Sequence, residues 1–158
     1  MEVMIRLADK EDAALVHAIM LEAFEEYRNL EVPSSAIHET VSSIQHSLQN
    51  GHEQALLCFV NGLPSGSARF KMNQTSLHFS RLSISPTARG KGIAKKMLRW
   101  LEDYAKEHDK SKMICRVRTA LSKNIRLYET LSYNIVKEET VTNLNGFSVK
   151  TVVMEKAL

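Results

Sequence analysis

Between Leu82 and Arg99 the chain reads Leu-Ser-Ile-Ser-Pro-Thr-Ala-Arg-Gly-Lys-Gly-Ile-Ala-Lys-Lys-Met-Leu-Arg, and no other stretch crowds so much charge around two glycines. Arg89, Lys91, Lys95, Lys96 and Arg99 surround the start of an amphipathic helix with no acid among them. A helix N-terminus carries partial positive charge and favours acidic neighbours, so this cluster implies an anionic partner. Gly90 and Gly92 allow a ligand close to the backbone. The amides of the first helical turn, at Ile93, Ala94 and Lys95, can then hold phosphate oxygens. Two familiar phosphate loops are excluded. Lys95-Lys96-Met97 lacks the Lys-Ser/Thr ending of a Walker loop, and the third glycine and later acid of a dinucleotide fold are missing. The competing reading is a plain βα turn with a solvated basic helix face.

Other residues could move protons or attract a substrate. Tyr128 sits in Asn124-Ile-Arg-Leu-Tyr-Glu-Thr-Leu-Ser-Tyr133, on a short helical segment. His78 lies in a strand, and a histidine titrates near ~6.5, which suits a general base. A strand histidine facing solvent is the plainer reading. Acids dominate the chain from Met1 to Glu31, and Glu25 and Glu26, beside Tyr27, could draw in a cationic substrate. These acids could equally form only the solvated face of the first helix.

Arg89, Gly92 and Ala94 spell Arg-x-x-Gly-x-Ala directly after a strand. Together with Asn124–Tyr133 they resemble the pyrophosphate loop and later signature of the GCN5-related N-acetyltransferases. Two departures stand out: Ser132 replaces the customary glycine, and Leu121 replaces an asparagine six residues before the Leu-Tyr pair. The resemblance implies acetyl-CoA as donor, with its pantetheine arm laid along the backbone of Leu82, Ser83 and Ile84. Arg89, Gly90, Lys91, Gly92, Ile93, Ala94 and Lys95 would hold the pyrophosphate, and Asn124 would add a contact. It further implies Tyr128 as the acid that protonates the leaving thiolate; the plainer reading of Tyr128 is a core aromatic with its hydroxyl bonded to backbone. His78 would stand where some relatives carry a base. Glu25, Glu26 and Tyr27 would fall on the acceptor side.

The elements that must position these residues follow from periodicity. Val3–Leu7 reads as a strand, and Asp9 with Asp12 as a capping box. Leu15, Ile19, Ala23, Phe24 and Tyr27 form a helical stripe. Ser34 or Ser35 is expected to cap a second helix with the seam Ile37, Val41, Ile44 and Leu48, ended by Asn50-Gly51. Gln54–Val60, the turn Asn61-Gly62 and the return strand Gly66–Met72 make a hairpin. In the strand Leu77–Ser85 the apolar positions change phase between Phe79 and Leu82, which predicts either a bulge near Ser80-Arg81 or strand boundaries that differ from these. The basic helix presents Ile93, Ala94, Met97, Leu98, Leu101, Tyr104 and Ala105 on one stripe. Lys112–Thr119 is a parallel strand reached by that crossover. Ser122–Leu131 is a helix, and the strands Tyr133–Thr142 and Phe147–Lys156 form a hairpin around Asn143–Gly146. The expected order is β-α-α-β-β-β-α-β-α-β-β: a mixed central sheet with helices on both faces, the order of the acetyltransferase fold.

The remaining limits come from composition. A chain of 158 residues is long enough for one core, so a single domain over 1–158 is expected. The net charge of +3 is modest and aromatic residues are scarce, which argues against a nucleic-acid binder. No apolar run reaches membrane-spanning length and Met1–Lys10 lacks a signal core. Cys58 and Cys115 lie in apolar strands, as buried free thiols in a reducing cytoplasm would. The six histidines show no metal-ligand spacing, so no metal is expected. The combined expectation is a cytoplasmic acetyl-CoA-dependent N-acetyltransferase acting on a small-molecule or peptide amine by direct attack. A homodimer is left open. The alternative is a catalytically silent CoA-binding regulatory module on the same fold.

Overall fold

The computed structural model describes residues 1–28, 35–142 and 146–158. The expected cap Ser34 and the turn residues Asn143, Leu144 and Asn145 lie outside the described residues. Among the described residues seven strands form one mixed sheet in the order β1-β2-β3-β4-β5-β7-β6, and four α-helices interrupt them in the sequence expected. The strands are β1 Val3–Ala8, β2 Gln54–Val60, β3 Leu63–Met72, β4 Ser76–Ile84, β5 Lys112–Arg118, β6 Asn134–Thr142 and β7 Ser148–Ala157. The helices are α1 Ala13–Phe24, α2 Val41–Gln49, α3 Ile93–Glu107 and α4 Ser122–Thr130. The chain divides into two compact units, Met1–Lys71 with Phe79–Leu101, and Met72–His78 with Glu102–Leu158.

In the first unit β2 explains the layering. Its run Ala55-Leu-Leu-Cys-Phe-Val is apolar at nearly every position, the mark of a strand covered on both faces. Ala55 and Leu57 join Val16, Ile19 and Met20 of α1 and Ile44 of α2 in one core cluster, with Phe59 packed against it. Side chains alternate along a strand, so Cys58 points to the other face. There Gly66 of β3 brings Cys58 and Met97 of α3 together: a Cβ at Gly66 would lie 2.8 Å from Met97 Sδ and 3.3 Å from Cys58 Cβ. Ile93, Met97, Leu98 and Leu101 are all buried, and each such side chain contributes about 1.5–3 kcal/mol by leaving water. β1 and β2 pair antiparallel, and β2 turns into β3 through Asn61-Gly62, both at positive φ.

β3 starts at Leu63, three residues ahead of the expected Gly66, and the start of α2 differs as well. Ser35–His38 forms a separate 3-10 turn, and α2 starts after Thr40, not after Ser34 or Ser35. Thr40 Oγ1 accepts from the Ser43 amide at 3.1 Å while the Thr40 amide donates to Ser43 Oγ at 3.2 Å. This reciprocal cap holds Thr40 extended, so no helix can run from Ile37 into Val41. Asp9 and Asp12 do form their capping box, around a 3-10 turn ahead of α1.

In the second unit β4 and β5 run parallel, with Ser76–His78 registered on Lys112–Ile114. β5 then pairs antiparallel with β7 along its whole length, and β7 with β6. The residue that departs from the helix-end glycine, Ser132, takes φ +75° directly after α4. It adopts the left-handed turn of a glycine and bears the strain of its Cβ.

Candidate functional site

The first unit holds the basic glycine loop. Ser85-Pro86 ends β4, Pro86–Ala88 makes a single 3-10 turn, and α3 begins at Ile93. Gly90 and Gly92 have φ +76° and +74°, and a Cβ on either would meet nothing within 4 Å. Their conformation therefore demands glycine, while the space beside them is open. Ile93, 2 % exposed, anchors the loop in the core. The first intrahelical bond runs from the Lys96 amide to the Gly92 carbonyl at 3.1 Å. By helix geometry the amides of Ile93, Ala94 and Lys95 precede it and point out of the helix end. Lys91, Lys95 and Lys96 are exposed around that end. Open space, outward amides and clustered cations fit a diphosphate.

Arg89, the first residue of this motif, is tied into the protein. Its Nη1 donates to Glu26 Oε2 at 2.9 Å, Nη2 to the Ala23 carbonyl at 3.2 Å and Nε to the Ile84 carbonyl at 3.3 Å. The neighbouring Glu25 pairs with Arg28. Glu25 and Glu26 are thus each matched by an arginine, which the charge pattern of the sequence did not reveal. Glu25, Glu26 and Tyr27 share one 3-10 turn.

Ahead of the loop, Arg81 takes φ +53° at the position where the apolar phase of β4 had to slip. Ser83 is buried and its Oγ donates to the Arg81 carbonyl at 2.8 Å, while the Ser85 amide donates to the Ser65 carbonyl at 2.8 Å. Leu82 and Ile84 flank Ser83, each partly exposed. The Arg81 guanidinium reaches Glu39, with Nη2 and Nε at 3.0 and 3.2 Å from Oε1, and Nη2 also donates to Ser35 Oγ at 3.1 Å. Arg69 bonds the same carboxylate, Nη2 to Oε1 at 2.7 Å. Burial would push the Glu39 carboxyl up, but the Arg69 hydrogen bond and the charges of both arginines outweigh it and hold it below the usual carboxylate range. Sequence reading missed this cluster. Its members are too far apart in the chain, and only the phase slip at Arg81 hinted at it.

The second unit holds the other three candidates. Tyr128 is 8 % exposed on α4, its ring 6.0 Å from that of Tyr133. Tyr133 donates its hydroxyl to Glu102 Oε2 at 3.0 Å, and Lys156 Nζ donates to Glu102 Oε1 at 2.9 Å. Burial, then the Glu102 charge, pushes the Tyr133 phenol far above its ordinary range. Asn124 is half-buried in the first turn of the same helix, its amide donating to the Leu121 carbonyl at 3.0 Å. His78 is exposed on β4, with Nε2 3.0 Å from Ser76 Oγ and 3.2 Å from Asn73 Nδ2. Among the described residues no group of three or more His, Cys, Asp or Glu is placed to hold a metal ion. None of the described helices is long and apolar enough to cross a membrane.

Comparison with known proteins gives a family model, the acetyltransferase (GNAT) family, which matches residues 16–133. No curated protein matches the chain. Among solved structures, yncA from Salmonella typhimurium with its cofactor acetyl-CoA is similar, with a TM-score of 0.78 and 21 % identity over 100 % of this chain and 95 % of that one. A GCN5-related N-acetyltransferase from Rhodopseudomonas palustris has a TM-score of 0.80 and 18 % identity over 100 % and 97 %. A ribosomal-protein-alanine N-acetyltransferase from Brucella melitensis has 0.77 and 20 % over 98 % and 99 %. At these identities the likeness is one of fold.

Proposed function

Because this chain belongs to the GNAT acetyltransferase family, we propose that it transfers the acetyl group of acetyl-CoA to a primary amine of a small molecule or peptide by direct attack in a ternary complex. The observation that carries this is the loop Arg89–Ala94. Two left-handed glycines lie beside open space, ahead of three outward amides and amid exposed lysines. The amides of Ile93, Ala94 and Lys95 would hold the pyrophosphate, with Lys91 and Lys95 adding charge.

The backbone of Leu82 and Ile84 would bond the pantetheine arm and the thioester carbonyl. An amide aimed at the oxygen where charge develops lowers the barrier more than any other group such a site can offer. The amine nitrogen bonds to the carbonyl carbon and the carbon–sulfur bond breaks. Tyr128 would supply the proton that the departing sulfur takes. His78 would serve as base toward the ammonium form of the acceptor, and Asn124 would add a donor contact.

The acceptor side is assigned to Glu25, Glu26 and Tyr27. Both carboxylates already face an arginine, so their pull on a cationic amine is that of matched pairs, weaker than the sequence suggested. The two buried free thiols suit a reducing compartment, and we place the protein in the cytoplasm.

The test has two arms. Calorimetry with acetyl-CoA should show binding that Gly92→Val weakens at least about tenfold, since Val at that φ is strained and fills the open side of the loop. Free thiol should then be released only when an amine is supplied, from a panel of polyamines, amino acids, aminoglycosides and peptides. Wild-type affinity in Gly92→Val would remove the loop from the reading. Binding without thiol release from any amine would assign a silent CoA-binding module instead.

A further inference from the structure

The stretch Leu82–Ala88, whose first three residues the resemblance lays along the donor, is bracketed by two arginines whose side chains turn to glutamates. On the N-terminal side Arg81 takes φ +53°, a left-handed conformation inside a strand that an arginine adopts only when its surroundings hold it there. Its guanidinium is held by Glu39 and the Ser35 hydroxyl. Glu39 is itself fixed. Arg69 bonds its carboxylate, and His17 Nε2 donates to its carbonyl at 2.8 Å. On the C-terminal side Arg89 commits three of its five N–H groups to Glu26, Ala23 and Ile84. The two glutamates come from the segments just after α1 and just before α2, and both contacts lie within the first unit.

We propose that Arg81 and Arg89 are positioning residues: they clasp the two ends of Leu82–Ala88 to Glu39 and Glu26, and so set the backbone on which the donor is laid. Both guanidiniums bond to protein partners. This inference rests on the proposed function for its meaning, but not for its test. An isolated, half-exposed pair such as Glu26–Arg89 is worth little for stability. Its effect here is on direction, because Arg89 also bonds the Ile84 carbonyl and thereby fixes the last peptide of β4. If Arg89 were instead a phosphate ligand, Glu26 would compete with the donor for it. The two roles predict opposite signs when Glu26 loses its charge.

The experiment uses the full chain with Glu26→Gln and Arg81→Gly. The glycine accepts φ +53° without strain, so it removes the clasp and leaves the conformation available. Hydrogen exchange of peptides spanning Leu82–Ala88 is measured without donor, and acetyl-CoA affinity by calorimetry. We expect faster exchange in both variants, with affinity about threefold weaker in Glu26→Gln and about tenfold weaker in Arg81→Gly. Should Arg81→Gly fail to fold, Arg81→Lys, which keeps the charge near Glu39 but not the fork, is expected to show the same exchange change. Unchanged exchange with equal or tighter binding in Glu26→Gln overturns the clasp and makes Arg89 a direct ligand. A wild-type protein that does not bind acetyl-CoA overturns the proposed function, while the donor-free exchange still decides the clasp.

Discussion

Tyr128 and Tyr133 sit ring to ring, yet they are suited to different work. The Tyr133 hydroxyl is committed to Glu102 and its phenol is pushed far above its ordinary range, so it holds its proton throughout the working pH. The proposed function gives Tyr128 the proton that the leaving thiolate takes. We expect Tyr128→Phe to lower kcat by ~10²-fold with donor affinity unchanged, the low end for general acid catalysis. Steady-state kinetics beside calorimetry checks this, and unchanged turnover would return Tyr128 to the core. Tyr133→Phe should instead cost about 1–3 kcal/mol in a denaturant titration, because Glu102 loses a buried donor.

The elements around the site rest on a few close approaches, and Gly66 is the tightest of them. A Cβ there would come within 2.8 Å of Met97 Sδ and 3.3 Å of the Ser83 carbonyl, so β3, β4 and α3 converge on one atom's width. Gly66→Ala should destabilise the protein by about 1–3 kcal/mol through overpacking, read as a lower denaturation midpoint with an unchanged slope. Most of these elements were legible in advance. The hairpin of β2 and β3, the stripe of α3 and the phase slip in β4 are written in a turn signal or in period-two and period-3.6 patterns. The start of α2 was not, because the spacing of Ile37, Val41 and Ile44 is helical while the Thr40–Ser43 cap interrupts it. The clasps of Arg81 and Arg89 were also illegible. Their partners lie 42 and 63 residues away, and no local pattern encodes such a meeting.

Across the whole molecule, acid is the condition that exposes what the buried charges do. Glu39 is held below its ordinary range, so a folded chain keeps it ionised where an unfolded chain would protonate it. Its contribution is therefore fully present above about pH 5, past the ordinary carboxylate value, and is lost as pH falls through the folded one. Denaturation midpoints of wild type and Glu39→Gln should converge as pH drops from 7 toward 3.5; a constant gap would mean that Glu39 matters only by shape. The cysteines have a different consequence. Cys58 lies in the first unit and Cys115 in the second, both buried, the latter thiol pushed up to about 12 by burial. A thiol without thiolate is inert to alkylation, so each becomes reactive only when its own surroundings open. The protein thus carries one chemical clock in each unit. Mass-resolved alkylation under native conditions times the two openings separately: equal rates describe one cooperative body, and unequal rates describe two that breathe apart.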